Sequence, residues 1–213
     1  MVEIGYQTQT LPRWGVLADE GAEPNPALRW PKSIDVYDKM RREDAQVGSV
    51  LRAVTFPIRS ASWMINPAGA RPEVVALIAD SLGLPVKGEP VNAPLRTRDK
   101  FDFDDHLALA LLELVYGHSL FEQVYRVADD GSVRLRKLAW RPPRTISKFE
   151  VAPDGGLVAI EQYGHGSATG TVRIPVARLV AYVNEREGAN WYGTSLLRTA
   201  YKNWLLKDRM LRA

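Results

Sequence analysis

The chain of 213 residues has no cysteine. That excludes disulfides, thiolate metal sites and cysteine nucleophiles outright, and it fits a reducing compartment. Only three histidines are present, and His165, held between glycines, matches no metal-ligand spacing. No apolar run approaches the roughly 18 residues that a membrane-spanning helix needs. The best candidate, LALALLELVYG, is shorter and carries Glu113, so no membrane association is expected. MVEIGYQTQT lacks the basic-then-apolar layout of a signal peptide. Neither a G-x-x-x-x-G-K-[ST] loop nor a G-x-G-x-x-G turn after a strand occurs. The formal charge of +3 is too small to argue for nucleic acid by itself.

What is present is enough for a core, with 46% hydrophobic residues against 25% charged. The first 31 residues read as an arm, punctuated by Pro12, Pro24, Pro26 and Pro31. Such a segment buries little by itself. Trp14 and Trp30 point to an arm laid against another surface, with a neighbouring subunit as the candidate.

Helical periodicity begins at Ser33, read as an N-cap for IDVYDKMRREDA. Val47, Val50, Leu51 and Val54 continue on one face, and Pro57 is expected to end or kink that helix. SASWMIN reads as a short strand. Pro72 starts a helix that Gly83 ends. After a proline-rich connection over 84–101, FDFDDHLALALLELVYG is apolar nearly all round and reads as a buried helix stopping at Gly117. FEQVYRV and SVRLRKLAW flank a tight ADDG turn. SKFEVAPDGGLVAIEQYG forms a second hairpin, and RLVAYVN a further strand. Helices and strands occur in blocks, which predicts an α+β fold.

Two clusters invite catalytic readings. Asp102, Asp104, Asp105 and His106 resemble a hard-cation site. The competing reading, preferred here, is a helix N-terminus where acids cap free N–H groups and favour the helix dipole. His118, Ser119 and Glu122 contain the residue types of a hydrolytic triad. Neighbours on a strand point to opposite faces, whereas a triad needs Ser and His in contact. No catalytic residue, metal ligand or cofactor is therefore assigned.

The tail, GTSLLRTAYKNWLLKDRMLRA, predicts a helix capped by Thr194 or Ser195. At about 100° per residue, Leu197, Ala200, Tyr201, Trp204, Leu205 and Leu211 share one broad face. Leu206 and Met210 lie on another sector, and Arg198, Lys202 and Arg209 form a basic stripe. A helix apolar on more than one side calls for more than one partner. No Gly, Asn or Pro follows its last turn. The expectation is that the natural polypeptide continues beyond Ala213.

Asn190, Tyr192, Gly193, Ser195, Leu196, Leu197, Arg198, Tyr201, Trp204 and Lys207 resemble a pattern of bacteriophage portal proteins. Met40, Arg41, Asp44, Val47 and Leu51 are similar to that family's early helix pair, and Trp63 to Ile65 to the strand after it. Leu112 to Gly117, with Ser119 and Glu122, resemble its buried helix and the strand beginning YG-x-S-x-x-E. Trp140, Arg141 and Pro142 resemble the region after the first hairpin. The resemblance runs from about residue 33 to the end, with a flavour of the Mu-like and actinobacterial-phage branches.

The resemblance implies an arm over residues 1–32, an α+β wing over 33–192 and the start of a stem helix over 193–213. It implies a non-enzymatic virion subunit, assembled in the host cytoplasm into a ring, normally a dodecamer, at one capsid vertex. The implied partners are the major capsid protein, the terminase large subunit, the head–tail connector and, non-specifically, double-stranded DNA. Trp14, Trp30, Leu197, Tyr201, Trp204, Leu206 and Met210 are then candidates for subunit contacts. Arg198, Lys202 and Arg209 are candidates for facing DNA or an adjacent subunit's acids. Two other readings compete. One is a nucleic-acid-binding module using the basic stripe and the interleaved aromatics. The other is a metal-dependent cytosolic enzyme built on Asp102, Asp104 and Asp105.

Overall fold

The computed structural model describes residues 23–90, 101–164 and 170–212. Trp14 and His165 lie outside them. The fold is α+β, with a helical layer and two three-stranded antiparallel sheets.

Helix α1 spans Lys32–Glu43 and follows a cis Trp30–Pro31 bond. Ser33 is not its cap. The N–H groups of Ser33 and Ile34 donate to the carbonyls of Arg29 and Pro31, so a preceding backbone turn satisfies them, and Ser33 is buried inside the first turn. The expected single helical stretch breaks at Asp44, whose backbone is extended and whose carboxylate accepts from the Gln46 and Val47 N–H groups at 2.8 and 3.2 Å. That cap starts α2, Ala45–Arg59. Pro57 does not end α2. It lies in the last turn, where few further bonds remain to be lost, and Ser60 N–H still closes on the Phe56 carbonyl at 2.9 Å.

The expected strand at SASWMIN is absent. Ile65 makes only one parallel bridge, to Val86. Pro67 and Pro85 flank the bridge and remove the donors a ladder would need. Helix α3, Pro72–Leu82, begins at its proline and ends at Gly83 in the left-handed region, as its pattern predicts. The long buried helix divides into α4, Phe103–Ala110, and α5, Glu113–Tyr116. Between them, N–H groups of Leu112 and Leu114 reach three residues back, to Leu109 and Leu111, and tighten the chain. Gly117, at φ 86°, stops α5.

Strands β1 (His118–Val127) and β2 (Val133–Arg141) form the first hairpin, with β6 (Leu179–Val183) on the other side of β1. Strands β3 (Ile146–Val151) and β4 (Leu157–Tyr163) form the second, and β5 (Thr171–Pro175), which no sequence signal anticipated, pairs with β4. One core lies among the helices and includes Ile34, Tyr37, Met40, Leu51, Val115 and Trp204. A second joins the sheets through Leu120, Ile146, Phe149, Ile160, Ile174 and Leu179. Trp30 packs against both, stacked on Tyr192 and edge-on to Phe149. The last helix, α6, spans Tyr201–Arg212, and residues 196–200 approach it as turns.

Candidate assembly interface

The tail is seated on the body by the segment 190–198. Ser195 Oγ donates to the Val115 carbonyl at 2.5 Å and accepts from the Leu197 N–H at 3.0 Å. It thus caps a turn ahead of α6 instead of α6 itself. Asn184 exchanges bonds with Thr194: its side chain donates to the Thr194 carbonyl and its carbonyl accepts the Thr194 N–H, at 2.8 and 2.9 Å. Gly117 and Gly193, both at positive φ, meet backbone to backbone. A Cβ on Gly193 would overlap the Gly117 carbonyl oxygen, and one on Gly117 the Tyr192 carbonyl oxygen. The position where α5 stops is therefore where the tail crosses.

From there α6 lies along the helix pair. Lys207 Nζ meets the Asp44 carboxylate at 2.8 Å, so one acid caps α2 and anchors α6. That ammonium holds Asp44 below the usual carboxylate range. Asp208 approaches Lys39 at 4.0 Å, and the Lys39 ammonium lies over the Trp204 ring.

The interface candidates fall into two groups. Leu197 and Trp204 are buried in the chain's own helical core, with Ala200, Tyr201 and Leu205 packed against it. Trp30 is likewise taken up within its own chain. Leu206 and Met210 are exposed, and so is Leu211, which the helical face placed with the buried group. α6 keeps one face for its own body and leaves another open.

The basic stripe divides too. Arg198 Nε is 2.5 Å from Glu23, an acid of the same chain. Lys202 and Arg209 are exposed. A cleft of about 530 Å³ lies beside Arg198 and Glu23, lined by Trp30, Tyr37, Tyr192, Glu185 and Glu187 among others. Tyr37 there is pushed up to about 12, chiefly by burial and then by Glu23.

The hub of the helical layer is Asp38, which no sequence motif flagged. Its carboxylate accepts from Tyr116 Oη at 2.7 Å, Arg41 at 2.7 Å, Arg42 at 2.9 Å and Arg144 at 3.0 Å. Burial alone would raise its pKa. Hydrogen bonds from Tyr116, Arg41 and Arg42 outweigh that and hold it well below the usual carboxylate range. Tyr116 in turn is pushed up to about 12 by burial and by its bond to Asp38. The 38–41–42 spacing, one helical turn, was the available signal. Arg144, more than a hundred positions away, offered none.

The two catalytic-looking clusters resolve as structure. Asp102 caps α4, its carboxylate accepting the Asp105 N–H at 2.9 Å. His106 is buried against Phe101 and Phe121, with Nε2 2.9 Å from the Tyr182 hydroxyl. Among the described residues no group of three or more metal-ligating side chains stands together. His118 Nδ1 meets the Tyr192 carbonyl at 2.9 Å, and burial pushes its pKa down to about 4. Ser119 Oγ donates to the Leu109 carbonyl at 2.8 Å and accepts from Trp140 Nε1 at 3.1 Å. Glu122 forms an ion pair with Arg141 across the β1–β2 ladder. His118 and Ser119 thus serve different partners on opposite faces of β1.

Among protein families, the portal protein of Mu bacteriophage matches over residues 34–213. The chain belongs to the Mu-type bacteriophage portal family. That family is a structural one, and the portal-like residues of this chain act here as joints. Ser195, Gly193, Ser119, Trp140, Glu122, Arg141, Asp44 and Lys207 each lock one element to another. No helix among the described residues is long and apolar enough to cross a membrane.

Proposed function

We propose that this portal-family chain is a structural subunit of a closed ring, normally of twelve copies, at one capsid vertex. The ring is the conduit for packaging and ejecting viral DNA and the docking point for terminase and the head–tail connector, set in a shell of major capsid protein. The observation that carries this reading is the family match from residue 34 to 213. It is supported by the open face of α6, where Leu206 and Met210 are 60% and 71% exposed. A repeated head-to-tail contact that closes on itself gives a ring and supplies such cover.

In this reading Lys202 and Arg209 face either phosphates or a neighbour's acids. DNA contacts are few and sequence-independent, since tight binding would hinder translocation. Native mass spectrometry or electron microscopy of the full-length protein tests the reading. Rings of about a dozen copies are expected, and strictly monomeric behaviour under every condition would overturn it.

A further inference from the structure

The buried Leu51 divides the outer surface of α2 into two flanks. Val50, Val54 and Ile58 lie on one. The other carries Gly48, Arg52, Thr55 and Arg59, which wall a groove of about 400 Å³ floored by Ala108, Leu111 and Leu112. Arg41 and Arg42 also line the groove, but both are engaged by Asp38. Arg52 and Arg59 are exposed, and α2 has no acidic residue. They lie seven positions apart, about 10.5 Å along the helix. Phe56, 69% exposed, stands between them on the outer rim. The edge therefore reads cation, ring, cation at i, i+4 and i+7.

Helix α3 carries the complement. It has no basic residue. Val75 is buried towards the body. Glu73, Ala76 and Asp80 are exposed and fall on the opposite side of the helix. The two acids are also seven positions apart, with the small Ala76 between them. No residue of α3 lines the groove of its own chain.

We propose that α3 of one subunit lies antiparallel along the α2 edge of the next, with Arg52 opposite Asp80, Phe56 opposite Ala76 and Arg59 opposite Glu73. One register satisfies all three pairs. The large ring meets the smallest side chain of the α3 face, and the opposed helix dipoles favour the antiparallel sense. This inference rests on the ring reading and names which faces make its contact.

Charge selects this occupant over the others that the chain offers. Two α2 edges would bring arginines together and two α3 faces carboxylates, so both self-pairings are penalised. The open face of α6 carries Lys202, Leu206, Arg209 and Met210, with Leu211 exposed beyond them. Its cations bar it from the arginine edge. As a rival seat for α3 it would set large apolar side chains against carboxylates, whereas the α2 edge presents one ring to an alanine and has a recess beside it. Because the two faces sit on different elements, the contact is head-to-tail and propagates.

The absence of native cysteine makes the test direct. Full-length Phe56→Cys and Ala76→Cys variants are co-expressed, and each is expressed alone. All are mildly oxidised and read on non-reducing gels beside native mass spectrometry. A cross-linked dimer from the co-expressed pair, with neither variant cross-linking alone, is the expected result. Arg59→Glu in the Phe56→Cys chain should lower the yield of cross-link about tenfold at low salt, and Glu73→Arg in the Ala76→Cys chain should restore it. A disturbance confined to α2 would not be rescued from the other chain. Rings without the mixed cross-link, or capture of Ala76→Cys by Leu206→Cys instead, would overturn this interface and leave the ring reading standing. No oligomer at all would overturn both.

Discussion

Helices α1 and α2 are joined by one residue, Asp44, and have 12 and 15 residues. α1 is the more polar, KSIDVYDKMRRE against AQVGSVLRAVTFPIR, yet it buries Ser33, Ile34, Tyr37, Asp38 and Met40. α2 buries only Leu51. The ordinary expectation is reversed, and the reason is position. α1 lies between α5 and α6 and meets its polar needs through the Asp38 cluster. α2 touches the body along part of one stripe and turns the rest outward. Apolar surface left open on the richer helix is the kind of surface that marks a candidate contact with another molecule.

The contrast breaks most readily on the α1 side. Met40 has no exposed surface, so Met40→Ala should cost about 2–5 kcal/mol of stability, read by urea denaturation of the monomeric state. A cost below ~1 kcal/mol would mean that α1 is not the core helix.

Asp38→Asn is expected next, at about 3 kcal/mol, because Arg41 and Tyr116 lose a buried partner. The same residue predicts a pH dependence. Its folded pKa is depressed, so its contribution is complete above the ordinary carboxylate value of 3.8 and is lost as pH falls below it. His118 acts in the same direction in a higher window. Held near 4 in the fold against an ordinary 6.5, it stays neutral while the unfolded chain takes up protons. Stability should decline from pH 6.5 to about 4, by roughly 3 kcal/mol, and His118→Gln should flatten that part of the curve.

The joint between the helices comes third. Asp44→Ala removes the α2 cap and the Lys207 anchor, for about 1–2 kcal/mol. Lys207→Met, which spares the cap, should cost less than 1 kcal/mol by the same denaturation.

The smallest effect sharpens the comparison most. Val54→Ser on α2 should change monomer stability by no more than about 0.5 kcal/mol. If stability fell by several times that amount, α2 would be a core helix after all, and its stripe would not be available to a neighbour.

Legibility followed the range of the interactions. α3 was readable because Pro72 and Gly83 act on their own backbone. The two hairpins were readable because ADDG and PDGG turns sit between alternating strands. The expected SASWMIN strand failed because two prolines far apart in the chain, Pro67 and Pro85, jointly limited it to one bridge. β5 was missed because its five residues, TVRIP, alternate weakly and depend on β4 for pairing. In the tail, periodicity separated Trp204 from Leu206 correctly but placed Leu211 on the buried face. Leu211 lies at the far end of the helix, where no body remains beneath it.

The amino-acid order alone carried the α+β class, the positions of most turns and the portal resemblance, because each rests on neighbours within a few residues or on spacing along the chain. The tertiary structure alone decided which apolar stripe is spent internally and which is left open. It also decided that Arg198 belongs to Glu23, that Arg144 completes the Asp38 cluster, and that Gly117 and Gly193 must both lack a side chain. Those outcomes depend on groups tens to hundreds of positions apart meeting within hydrogen-bond or van der Waals distance, and no local pattern encodes that.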